Sequence, residues 1–87
     1  MIQQRATVRL PHGIHSEIAH RLHHVASHFS SSVFLRWGEE TASLRSIVAV
    51  LALGIEVGTE IEILADGADE VEAVAAVAAM VQSTTDA

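Results

Sequence analysis

Eighty-seven residues without a cysteine describe one small domain, expected over residues 1–87, with no disulfide framework and no thiol chemistry. Five arginines and no lysine face eleven acidic residues, and the formal net charge of −6 disfavours nucleic acid as the main partner, because that binding rests on clustered positive charge. No apolar run approaches the roughly 20 residues of a bilayer span, and no basic-then-apolar leader pattern opens the chain. A cytoplasmic monomer without membrane insertion is the expectation.

Arg5 to Leu10 alternates, with Ala6, Val8 and Leu10 on one face and the arginines and Thr7 on the other. This spacing predicts a half-buried strand, stopped by Pro11. The stretch 11–15 reads as a turn ending in His15, and Ser16 is the expected N-cap of a helix. Ile18, Leu22, Val25 and Phe29, with Ala19 and Ala26, form its apolar face. Glu17, His20, Arg21, His23, His24 and Ser27 form the wet one. Ser30 to Ser32 reads as a loop, and Val33 to Trp37 as a second strand. Gly38-Glu39 suits a type II′ hairpin turn, so Glu40 to Ser43 returns antiparallel.

Ile47 to Leu53 fits a buried strand or a short helix when taken alone. Ser46 as N-cap and Gly54 as left-handed C-cap favour the helix. Gly58 marks a turn before a strand over 59–65, with Ile61 and Ile63 inside and Glu60 and Glu62 outside. After the Asp66-Gly67 turn, Asp69 and Glu72 make a capping pattern. Val71, Val74, Val77, Ala78 and Val81 then recur at helical spacing, and Ser83 to Ala87 read as a frayed end. The order β-α-β-β-α-β-α describes an α+β open-faced β-sandwich, in which a four-stranded, mainly antiparallel sheet carries three helices on one face.

The chemistry concentrates at His15. A histidine just before a helix N-terminus stands where free backbone N–H groups and the positive end of the helix dipole meet an anion. Its neutral imidazole is a nucleophile toward phosphorus, and the N–H groups of Ser16 and Glu17 would cradle the phosphate. The plain alternative is a loop histidine that fills a gap. Ser46 reads from the residues alone as the N-cap of the short helix after it. Ile47, Val48 and Leu51 belong to a helix apolar nearly all round. Its outer side is either a partner surface or buried under neighbouring helices. His20, His24 and His28 recur at i, i+4 and i+8, a spacing at which two imidazoles can share a metal, with Glu17 as an added oxygen ligand. Without a motif such as H-E-x-x-H, a solvated face that charges below about pH 6.5 is the simpler reading. No metal or cofactor is assigned.

Taken together, the element order, the P-x-G-aliphatic-H turn ending at His15, the segment 44–54 and the 66–70 turn resemble the HPr family, the histidine-containing phosphocarriers of the bacterial phosphoenolpyruvate:sugar phosphotransferase system. The resemblance covers essentially the whole chain. It implies that His15 accepts a phosphoryl group from enzyme I and passes it to IIA domains of sugar permeases. It implies that Ser46 is a substrate of HPr kinase/phosphorylase, and that the helix after Ser46 docks partners with the start of the first helix. The family pattern continues after the histidine with a small residue, arginine and proline, whereas this chain has Ser16, Glu17 and Ile18. A carboxylate in place of that arginine opposes a phosphate on His15. A regulatory interaction module with lost or altered carrier activity is therefore the alternative, and a His-rich metal-binding domain a third.

Overall fold

Alternation along the strands decides which face of the sheet is dry. In a computed structural model that describes residues 1–85, four strands are β1 (Ile2–Thr7), β2 (Ser32–Trp37), β3 (Glu40–Ser43) and β4 (Glu60–Asp66). Three helices are α1 (Ser16–Ala26), α2 (Ile47–Ala52) and α3 (Glu70–Val81). Asp86 and Ala87, the end of the segment read as frayed, lie outside the described residues. The strands form one sheet in the order β1-β4-β2-β3, and every pairing is antiparallel. Ala6, Val33, Leu35, Ala42, Ile61, Ile63 and Ala65 are buried against the helices. Arg36 lies opposite Glu62 on the other face, where the guanidinium donates twice to one carboxylate oxygen at 2.9 and 3.0 Å.

α3 packs on β1, β4 and β2, while α1 packs on α2 and α3. Ile18, Leu22, Val74, Val77 and Val81 supply the core from these helices. The expected hairpin forms: Gly38 has φ 63 and Glu39 a negative φ, as the first and second central positions of a type II′ turn require. The first strand begins and ends earlier than its alternation suggests. Ile2 to Thr7 pair with β4, whereas Val8 and Leu10 are buried beyond the ladder. Val8 remains tied to Gly58 and Thr59 by backbone bonds of 2.7 and 2.9 Å, so apolar alternation continues where the regular strand has stopped. Phe29 lies past the end of α1 and, like Val25, is only half-buried.

The capping pattern at Asp69 is put to another use. Asp69 occupies the N-cap position of α3 but makes no cap bond with its side chain. Its carboxylate instead accepts from the N–H groups of Ser30 and Ser31, both at 2.9 Å, and from the Ser31 hydroxyl. These bonds hold the carboxyl well below its ordinary 3.8, at about 2, the Ser31 hydroxyl contributing most and the Ser30 N–H next. Gly67 completes the joint, since a Cβ there would stand 2.6 Å from Ser31 Oγ and 2.7 Å from its Cα.

Candidate functional site

The approach to His15 is built from backbone. Arg9 N–H donates to the Val81 carbonyl at 2.9 Å, Gly13 N–H to Leu10 at 3.0 Å, and Ile14 N–H to Ile55 at 3.0 Å. Gly13 has φ 67, and a Cβ there would lie 2.5 Å from the Ile55 oxygen and 2.8 Å from Glu56 Cα. Only glycine lets the turn lie this close to the segment that follows α2. Buried Ile14 then anchors the next residue to the core.

His15 is itself the N-cap residue of α1, with extended backbone at φ −98 and ψ −177 and its carbonyl accepting from Ala19 N–H at 2.9 Å. The expectation that Ser16 caps the helix is corrected by one position. Ser16 is already helical, and the helix has no side-chain cap bond. The correction places His15 at the head of the first turn, where the N–H groups of Ser16 and Glu17 have no intrahelical acceptor. The ring is half-buried, and its centroid lies 6.2 Å from that of His12 in an edge-on arrangement.

Glu17 is exposed and bonded to Arg21, Nη2 to Oε1 at 2.9 Å. This i, i+4 pair is worth a few tenths of a kcal/mol on a solvated helix face. It sets a guanidinium beside the carboxylate that replaces the family arginine.

The other histidines divide. Nδ1 of His20 donates to the Ser16 carbonyl and Nδ1 of His28 to that of His24, each at 2.9 Å, while the His24 and His28 rings meet edge-on at 4.7 Å. Among the described residues no three His, Cys, Asp or Glu side chains are grouped to hold a metal ion. His23 leaves the wet face to which its charge pattern assigned it. It is half-buried, and its Nδ1 donates to the Leu44 carbonyl at 3.0 Å, tying α1 to the segment ahead of α2. The signal was present in the phase: His23 falls four residues after Ala19 and three before Ala26, at the edge of the apolar stripe. The Asp69 clamp had no such signal, because its partners lie 38 and 39 residues away.

Ser46 caps α2 as expected, its hydroxyl oxygen accepting from Ala49 N–H at 3.2 Å, and Gly54 follows the helix at φ 65. Val50 is buried beneath the helix. Val48 is 78% exposed, and Ile47 and Leu51 are half-buried, so the outer side of α2 is an apolar patch uncovered by the other described residues.

The profile of the PTS-HPr family, described as the PTS HPr component phosphorylation site, matches residues 2–83. The chain belongs to the HPr family. This HPr-family chain is 37% identical over 82 residues to the HPr-like protein Crh of Bacillus subtilis (strain 168), covering 94% of this chain and 96% of that protein. It superposes on the crystal structure of the phosphocarrier protein HPr from Bacillus anthracis with a TM-score of 0.89 at 32% identity, over 93% and 96% of the two chains. It also superposes on a crystal structure of Crh described as a domain-swapped dimer, with a TM-score of 0.78 at 35% identity over 98% of each chain. The open-faced sandwich expected from the element order is thus the HPr fold. No helix among the described residues is long and apolar enough to cross a membrane.

Proposed function

We propose that this HPr-family protein is a cytoplasmic phosphocarrier in which His15 takes a phosphoryl group from enzyme I, with phosphoenolpyruvate as the original donor, and passes it to IIA-type domains. The observation that carries this reading is the position of His15 as the N-cap residue of α1, set there by the Gly13 turn and Ile14 anchor. A ring nitrogen lone pair attacks phosphorus, the N–P bond forms as the donor's bond to phosphorus breaks, and the reverse sequence unloads the group. Backbone N–H groups of Ser16 and Glu17, with the helix dipole, stabilise the phosphate. Incubation with phosphoenolpyruvate and enzyme I tests this. A mass gain of one phosphate that is absent in His15→Ala and is discharged by a IIA domain is expected; an unlabelled wild-type protein in the presence of a competent enzyme I overturns it.

A second reading is a regulatory interaction module that engages partners through the Ser46–α2 face. Exposed Ser46 beside exposed Val48, together with Glu17 near the acceptor histidine, favours it. HPr kinase/phosphorylase with ATP would place a phosphate on Ser46, and a regulator would bind through Ile47, Val48 and Leu51. This reading expects binding unchanged by His15→Ala and weakened by Val48→Ser. Loss of binding in His15→Ala counts against it.

A further inference from the structure

A cavity of about 360 Å³ opens between the C-terminal end of α1 and the segment leading into α2. It lies in the range of small-molecule sites. Ala26, Phe29, Val33 and Leu44 give it apolar walls; Phe29 is half-buried and the other three are buried, so the floor is the molecule's own core. Among the described residues, Arg45 and His23 are the titratable ones that line it. In a chain of net charge −6, a concavity that among the described residues is lined by a cation and an imidazole and no carboxylate selects for an anion.

The geometry is set before any ligand arrives. The His23 bond to Leu44 places hydrogen on Nδ1 and leaves Nε2 for another partner. The wall at Ser31 is fixed by Asp69, which is not among the lining residues and whose carboxylate is already engaged by Ser30 and Ser31. Among the described residues the Arg45 guanidinium, on an exposed residue, has no carboxylate partner within ion-pair distance.

We infer that this cavity is a binding site for a small organic carboxylate with a compact apolar body, the carboxylate pairing with Arg45 and the body lying on Phe29, Val33 and Leu44. Arg45 directly precedes Ser46, so the occupant sits at the root of the Ser46–α2 face and provides that face with a route to a metabolite signal.

Titration of the ¹⁵N-labelled full chain with benzoate and 4-methylpentanoate, followed by amide shifts, tests the site. Benzyl alcohol serves as the uncharged counterpart and inorganic phosphate as the bare anion. Saturable shifts centred on His23, Phe29, Leu44 and Arg45 are expected, with a Kd on the order of 1 mM or tighter. Arg45→Gln, whose side chain stays polar and exposed, should weaken carboxylate binding about tenfold while its spectrum otherwise matches wild type. Ser27→Leu, at the cavity's exposed margin, should narrow the entrance and weaken both carboxylates. The inference is overturned if benzoate produces no saturable shift in this region, if benzyl alcohol or phosphate binds as well as benzoate, or if Arg45→Gln binds benzoate as wild type does.

Discussion

Residue 17 is where this chain departs most from its family's acceptor motif. A carboxylate roughly 6 Å from a dianionic phosphate at a solvated surface costs on the order of 1–3 kcal/mol, and the 2.9 Å pair with Arg21 recovers only a part of it. Glu17→Arg should therefore shift the equilibrium with phosphorylated enzyme I toward phospho-His15 by roughly one to two decades. The fraction carrying the added phosphate, read by mass spectrometry at equilibrium, checks this, and an unchanged fraction would mean that the carboxylate does not act on the phosphate. Asp69 is the other decisive residue. Its folded-state carboxyl titrates at about 2, below its ordinary 3.8, so its contribution to stability is present above the higher value and is lost as pH falls through the lower. Asp69→Asn should melt below wild type at neutral pH and converge with it by about pH 2. Parallel melting curves at every pH would show that the charge is not what holds the Ser30–Ser31 loop.

At the scale of elements, α2 is held by a terminal cap more than by its length. It has six residues, too few to persist alone, and its N-terminal hydroxyl bond reaches Ala49. Ser46→Ala should cost about 1 kcal/mol in urea unfolding, with an unchanged m-value. A destabilisation near zero would mean that packing on Val50 suffices. The turn ahead of α1 has a stricter requirement. At Gly13, positive φ and the nearby Ile55 and Glu56 backbone act together, so Gly13→Ala should cost about 2 kcal/mol or more and displace the amide resonances of Ile14 and His15. Wild-type stability in that variant would show that the 55–56 segment yields easily. The Ile14–Ile55 backbone bond links the turn ahead of α1 to the segment that follows α2.

At the scale of the molecule, one chain closes its own core. Buried residues from all four strands and all three helices form a continuous cluster, and the Ala6, Val8 and Leu10 segment is packed within the same chain. A monomer is therefore expected in sedimentation equilibrium at micromolar concentration. A stable dimer would point to exchange of an element between chains, for which the edge strands β1 and β3 are the candidates.

Local chemistry made most of the elements legible. Gly38-Glu39 defines a hairpin because a type II′ turn needs a positive φ at its first central residue, and Ser46 and Gly54 bracket a helix because each satisfies orphan groups at one end. His15 was legible as the acceptor candidate because a turn and a helical stripe adjoin it in sequence. Tertiary structure decided what adjacency does not contain. The β1-β4-β2-β3 order depends on non-local pairing, and the Asp69 capping pattern lost to two serines brought from 38 and 39 residues away. His23 was drawn from the solvated face by a carbonyl 21 residues distant. For both side chains the physical reason is the same: a polar group takes the partner that leaves fewer polar groups unsatisfied, and only the assembled fold presents the distant one.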